Sequence, residues 1–476
     1  MRKVVLDGIK WLTLARLVAQ ITRWAATIIA IRLLAPNDFG LAALAQTVLS
    51  ILELFGSFGL GAAIIQSPEI SRRALQLIFG MITAINLILA ALMWGVAPYA
   101  ATFYGEPELT QIIRVLALTF LFVIAGAIPA NLLIRDMNFR AIAIAQVLSG
   151  FAGAAVLLIM AYSGYGYWAL IWGGIAILGV DTIVKIIARP VFVVPVFNFP
   201  EAKQYLTFGS LVMASTIIHH LYVSLDVVIA GIYWSAETLG IYAVALQLAV
   251  LPLNKMMPMI RQVAFPAFSK NQSDLEKTRG YMVKSMQLAM AISFPIFFGI
   301  SSISVLLVPL LLGSNWESAA LPIMILCVSI PFRMMVELYE PPLFATNRPK
   351  IVVINSLVIL CIMIPTFFIS VQWDVLGLSL GWLLVFPLVS LGSSYWYCKS
   401  MEINLATMFG ALQTPLLGST LMLGVVYGYI QGLTGMLNPW VLMVSAIGLG
   451  AAVYLLYIYI FDRSLFNQYL EIVTRG

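Results

Sequence analysis

The sequence predicts an all-α polytopic membrane protein of about fourteen transmembrane helices, arranged as two pseudo-symmetric six-helix lobes plus two C-terminal helices. Three observations predict it. Mean hydropathy is +1.00, with 62% hydrophobic and only 10% charged residues, which excludes an ordinary soluble domain. Apolar stretches of about 20 residues, each long enough to cross the hydrocarbon core, recur along the whole chain. Basic residues gather at alternate ends of those stretches, loop after loop.

In chain order the predicted spans are 11–32, 41–65, 76–97, 113–133, 142–162, 167–187, 207–230, 240–262, 285–310, 319–340, 351–371, 375–397, 408–430 and 438–461. The first apolar stretch is too long for a signal peptide and lacks a small-residue cleavage site, so it reads as a span. With the N-terminus in the cytoplasm, the cytoplasmic segments hold Arg72, Arg73, Arg135, Arg140, Lys185, Arg189, Lys277, Arg279, Arg348, Lys350 and Lys399, among others. The opposite side holds only Arg32 and Arg114, beside Asp38, Glu106, Glu108, Glu237, Glu317 and Asp374. This is the positive-inside distribution, and it places both termini in the cytoplasm.

The loops are short, so no soluble catalytic domain is expected. The predicted organisation is an N-lobe over 1–190, a cytoplasmic interfacial linker over 191–206, a C-lobe over 207–400, and spans thirteen and fourteen with the C-terminus over 401–476. The halves echo each other. Asp38-Phe39-Gly40-Leu41 resembles Thr238-Leu239-Gly240-Ile241 at an offset of 200, and Gln46 and Glu53 fall opposite Gln247 and Asn254 at 201. A parallel duplication follows, and transporter folds often carry such repeats with the substrate site between them.

Four polar stripes mark the candidate site. Span one carries Thr13, Arg16, Gln20, Arg23 and Thr27 at spacings that put all five on one helical face. Span two carries Gln46, Ser50, Glu53 and Ser57; span seven Ser215, His219, Tyr222 and Asp226; span eight Gln247, Asn254 and Arg261, with Lys255 beside them. Charged residues inside spans are expensive and usually face a bundle interior or a water-filled cavity. The candidate cavity lining is therefore Arg16, Gln20, Arg23, Gln46, Glu53, Asn254, Lys255 and Arg261. Arg16 and Arg261 lie close enough to the cytoplasmic face to snorkel instead. Arg23 and Glu53 sit nearer mid-membrane and are a candidate pair. His219, Asp226 and Glu53 are candidates for proton or cation coupling, because each changes protonation in a polar cavity; an ordinary interhelical hydrogen bond is the competing role for His219 and Asp226. Arg333/Glu337 and Asp181/Lys185 are i, i+4 pairs and read as charge-neutralised structure. Spans thirteen and fourteen carry no Asp, Glu, Lys or Arg, as suits lipid-facing helices or a groove for a prenyl chain.

No enzyme is predicted. The only histidines, His219 and His220, are adjacent and give no zinc spacing, and no phosphate-binding loop is present. Cys327, Cys361 and Cys398 are scattered within or at the ends of apolar runs and read as packing residues. No metal, no resident cofactor and no nucleic-acid patch is expected.

Several motifs carry a family resemblance. Ile31-Arg32-Leu33-Leu34-Ala35-Pro36-Asn37-Asp38-Phe39-Gly40 resembles the opening signature of Wzx-type polysaccharide flippases, as do Leu133-Ile134-Arg135-Asp136-Met137-Asn138-Phe139-Arg140 and residues 164–170. Asp226-Val227-Val228-Ile229-Ala230-Gly231, Leu239-Gly240-Ile241-Tyr242 and Phe265-Pro266-Ala267-Phe268-Ser269 resemble the colanic-acid and teichuronic-acid exporter branch. The likeness covers residues 1–300. It implies a member of the multidrug/oligosaccharidyl-lipid/polysaccharide exporter superfamily, two six-helix lobes around a cavity with alternating access, in a bacterial cytoplasmic (inner) membrane. The implied cargo is an undecaprenyl-pyrophosphate-linked oligosaccharide, moved to the periplasmic leaflet with H+ or Na+ coupling for lipopolysaccharide, O-antigen or exopolysaccharide synthesis. Polysaccharide polymerase and export machinery are the implied partners. Glu53 makes the cavity less purely cationic than such a cargo suggests, and a cation-coupled drug or small-solute antiporter of the same superfamily is the alternative.

Overall fold

The computed structural model describes residues 2–56, 60–66, 70–198, 200, 210–270, 274–346 and 348–468, with side chains at 2–17, 62, 63, 66, 210–216, 259, 261–267, 269 and 270 outside the description. The chain is helical and forms two compact units, Met1–Gly240 and Ile241–Gly476. The described helices of the first unit are α1 Arg2–Leu33, α2 Pro36–Glu53, α3 Leu60–Gln66, α4 Arg72–Tyr104, α5 Leu109–Leu116, α6 Leu118–Arg135, α7 Phe139–Tyr162, α8 Tyr167–Ala188 and α9 Ser210–Tyr233. Helix α10, Ala236–Lys270, begins in the first unit and continues into the second.

Among the described residues ten stretches are long and apolar enough to cross a membrane. They cover all or most of every predicted span except the first, second and seventh, the eighth only as far as Pro258, and one of them, Pro349–Ser400, covers two. The seventh is apolar over Ile217–Tyr233. The first and second are helices all the same, as α1 and α2. The described side chains of α1 cover only 18–33, and α2 breaks after Glu53; each carries a polar stripe, and a helix with such a face needs water or protein beside it rather than lipid.

Span two departs from the expected continuous helix over 41–65. Helix α2 ends at Glu53, residues 54–56 turn, and α3 starts at Leu60. A broken helix at membrane depth is tolerated where protein groups take up the freed backbone atoms. Asn86 does so here. It is fully buried on α4, and its Nδ2 donates to the Gly56 carbonyl at 2.9 Å and to Ile82 O at 2.8 Å.

One end of the first unit joins residues from two of the motifs noted above. Asp38 Oδ2 accepts from Ala35 N at 3.0 Å at the start of α2. Its Oδ1 lies against Gly166, the residue before α8, where a β-carbon would sit 2.7 Å away. One carboxylate thus faces the positive ends of two helices. Gly166 also has φ +53°, a backbone region costly for other residues. Alongside, Gly40 touches the backbone of Ala236, and Gly240 touches that of Pro36. These reciprocal contacts carry the same 200-residue offset as the sequence echo.

At the other end, the predicted interfacial linker is described as far as 198. Residues 190–198 form a non-helical strap. Val191, Val193 and Val196 pack on a cluster that includes Leu60, Ile64, Leu77, Ile78, Ile128 and Leu132, while Phe192, Val194 and Phe197 point outward. The strap is held by Val196 N donating to Gln76 O at 3.1 Å, directly over Gly80, where any β-carbon would overlap the Val196 carbonyl. Asp136 and Arg189 pair at 3.0 Å nearby, and Asp181 pairs with Lys185 at 2.5 Å as expected.

In the second unit α11 Leu275–Leu312 packs on α12 Ala320–Leu338, α16 Leu405–Leu433 and α17 Pro439–Phe461. The remaining helices are α13 Glu340–Ala345, α14 Pro349–Ser370 and α15 Asp374–Ser400. Its core holds fully buried Tyr242, Phe367, Trp382 and Phe386, with Trp382 Nε1 donating to Tyr242 OH at 3.1 Å. Arg333, only 5% exposed, lies over the Trp382 ring at 4.5 Å. A guanidinium on an aromatic face keeps part of its electrostatic stabilisation when buried. Arg279 donates to Met401 O at 2.7 Å and pairs with Glu402, and Arg348 donates to Ser400 O. Both cations thereby cap the carbonyl end of α15.

Candidate functional site

Helix α1 presents Arg23 ten residues, about 15 Å, before its end at Leu33, a distance equal to about half the thickness of a hydrocarbon core. The guanidinium is held in place rather than swinging free. Arg23 Nη2 donates to Gln20 Oε1 at 2.7 Å, one turn back on the same stripe. Its stem crosses Gly150 of α7, where a β-carbon would stand 3.4 Å from Arg23 Cδ and 3.5 Å from Nη1. Gly150 lets α1 pack closely on α7 there, whereas Gly153 faces Ile177 and Gly173 of α8. Thr27 Oγ1 turns back to the Arg23 carbonyl at 2.9 Å, so it belongs to the helix rather than to a ligand.

On α2, Gln46 and Glu53 are exposed two turns apart, with half-buried Ser50 between them donating to Thr47 O at 2.9 Å. Among the described residues the Glu53 side chain forms no hydrogen bond or ion pair. The candidate Arg23–Glu53 pair is therefore not formed: Arg23 finds its acceptor on its own helix, in Gln20. Glu53 stands at the last residue of α2, beside the break that Asn86 supports.

On α9, His219 Nδ1 and Tyr222 OH lie 3.0 Å apart, while Asp226 is fully buried and accepts from Val227 N at 2.8 Å. These groups are two turns apart on one helix. In α10 Asn254 and Lys255 are exposed. The side chains of Arg16 and Arg261, with those of Thr13, Ser57 and Ser215, lie outside the described residues. Among the described residues no three His, Cys, Asp or Glu side chains gather as metal ligands.

The structure thus joins Gln20 to Arg23, and sets Gln46 and Glu53 on one open face. Gly150 and Asn86 were not singled out from the sequence. Asn86 left a signal, as an isolated amide in the apolar run of span three. Gly150 left none that distinguishes it from the other glycines of span five.

The comparisons with known proteins agree with this architecture. Residues 28–321 match the family described as polysaccharide biosynthesis protein. The chain is 25% identical to the teichuronic acid biosynthesis protein TuaB of Bacillus subtilis, over 78% of this chain and 77% of that protein. It is 25% identical to the lipopolysaccharide biosynthesis protein WzxC of Escherichia coli, over 81% and 79%. Among solved structures, the lipid II flippase MurJ in an inward closed conformation superposes with a TM-score of 0.73 at 14% identity, covering 96% of this chain and 99% of that one. An inward-facing multidrug resistance transporter of the MOP superfamily gives 0.63 at 14% identity, covering 82% and 98%. The chain belongs to the polysaccharide biosynthesis protein family: a multi-pass membrane transport protein, not an enzyme, with the fold of the multidrug/oligosaccharidyl-lipid/polysaccharide exporters.

Proposed function

We propose that this protein moves undecaprenyl-pyrophosphate-linked oligosaccharide from the cytoplasmic to the periplasmic leaflet of the bacterial inner membrane, by alternating access, for surface polysaccharide synthesis. The observation that carries the proposal is the fixed guanidinium of Arg23 near mid-depth on α1, aimed by Gln20 and seated on Gly150. A planar guanidinium matches phosphate oxygens in charge and geometry, and its charge persists at any physiological pH. An apolar groove of about 480 Å³ between α11, α16 and α17, lined by residues such as Ile296, Met422, Val426 and Leu455, suits the prenyl tail. Each methylene buried there contributes about 0.8 kcal/mol. In this reading the termini are cytoplasmic, and His219, Asp226 and Glu53 supply H+ or Na+ coupling. The names of the similar proteins, which concern teichuronic acid and lipopolysaccharide, support a glycan cargo.

The exposed Glu53 favours a second reading, a cation-coupled antiporter for cationic solutes. Lipid analysis separates the two. Cells lacking the protein but making glycan precursor are expected to accumulate prenyl-pyrophosphate oligosaccharide on the cytoplasmic leaflet. The wild type clears it, and Arg23→Ala at equal membrane level does not. No accumulation, with altered sensitivity to cationic drugs instead, favours the antiporter.

A further inference from the structure

A second crevice lies in the Ile241–Gly476 unit, lined by none of the residues assigned to the cargo. Helices α14 and α15 leave a crevice of about 440 Å³ between them, within the size range of small-molecule sites. Its wall changes character along its length. One end is formed by Ile362, Val358 and Leu388, which are 39%, 45% and 67% exposed to the surroundings. The other end holds Asn355 and Ser393, 3% and 4% exposed, together with Gly392 and Trp396. Asn355 Nδ2 is buried with no hydrogen-bond partner, and among the described residues neither the Asn355 nor the Ser393 side chain forms a hydrogen bond. A buried amide donor without an acceptor is costly, and an oxygen of a molecule seated in the crevice would supply one.

The pattern continues past the crevice. Leu388, Gly392, Trp396 and Lys399 follow at spacings of four, four and three, which is one stripe of α15. Lys399 is exposed, with Nζ drawn to the Tyr395 ring at 5.9 Å. Exposed Lys350 opens α14 at the same end. From tip to rim the stripe runs from apolar through hydrogen-bonding to cationic, with a tryptophan at the transition. That is the depth profile of one leaflet of a bilayer.

We propose that this crevice is a binding site for one anionic glycerophospholipid. One acyl chain lies along Val358, Ile362 and Leu388, an ester carbonyl accepts from the Asn355 amide beside Ser393, and the phosphate faces Lys399 and Lys350. Assignment to the cytoplasmic leaflet follows from the topology proposed above; the site itself is independent of the cargo.

The test is native mass spectrometry of the purified full-length protein, titrated with phosphatidylglycerol and, in parallel, phosphatidylethanolamine. The wild type is expected to hold one phosphatidylglycerol about five- to tenfold more tightly than Asn355→Leu, the range set by one lost hydrogen bond. Gly392→Leu fills the crevice from a position where a β-carbon meets nothing within 4 Å, so it leaves folding intact and abolishes the tight binding event. Lys399→Gln is expected to erase the preference for phosphatidylglycerol while one lipid still binds. Equal affinity in the wild type, Asn355→Leu and Gly392→Leu overturns the proposal, and so does displacement of phosphatidylglycerol by equimolar undecaprenyl phosphate.

Discussion

A β-carbon on Gly240 would overlap the carbonyl oxygen of Pro36, and one on Gly40 would overlap that of Ala236. The contacts are reciprocal, and each member of one pair sits 200 residues from its counterpart in the other. Backbone touches backbone here, so no rotamer change relieves a side chain added at either glycine. Gly40→Ala and Gly240→Ala are each expected to lower stability by about 1–3 kcal/mol, the range for overpacking. Because both act on one contact, the double variant loses less than the sum. Thermal unfolding of the detergent-solubilised protein measures this; additive losses show that the two contacts are independent.

Arg23 depends on two neighbours. Gly150→Leu fills the space its stem occupies, and Gln20→Leu removes its acceptor. Both are expected to reduce export with protein level unchanged, Gly150→Leu more severely because it displaces the whole side chain. Arg23→Lys keeps the charge but loses the fork, and falls between wild type and Arg23→Ala. Precursor clearance in a deletion strain, normalised to membrane protein level, ranks the four. Full clearance by Gly150→Leu rules out a seated guanidinium.

Asn86→Leu keeps the volume and removes the donor to Gly56 O. The carbonyl at the break in span two is then left without its protein donor, which costs about 1–3 kcal/mol. A lower unfolding temperature is the expected result. An unchanged temperature means that water or another group already serves the break.

Gly80→Val is expected to lift the strap off α4, since its side chain takes the place of the Val196 backbone. Under the proposed topology the strap is cytoplasmic, so chymotrypsin added to inverted membrane vesicles should cut after Phe192 several times faster in the variant. Cleavage at the wild-type rate indicates that the strap is held elsewhere.

Much of the fold was legible because hydropathy is a local property. A run of apolar residues crosses the membrane wherever its neighbours lie, and polar residues at spacings of three and four share a helix face in any packing. The stripes on spans one and two were therefore readable as single faces. The fate of each polar group along them was not. Arg23 turned to Gln20, one turn back on its own helix, and the fold does not pair it with Glu53.

By itself the sequence determined the all-helical membrane class, most of the spans, the sidedness of the basic loops as a pattern, and the echo between the halves. Only the tertiary structure decided where span two breaks, which glycines carry backbone contacts and what aims Arg23. The break after Glu53 depends on an amide 30 residues from Gly56, and the seat of Arg23 on a glycine of another helix. Periodicity reports which residues share a face of one helix; the partner across that face is set by packing between helices distant in sequence.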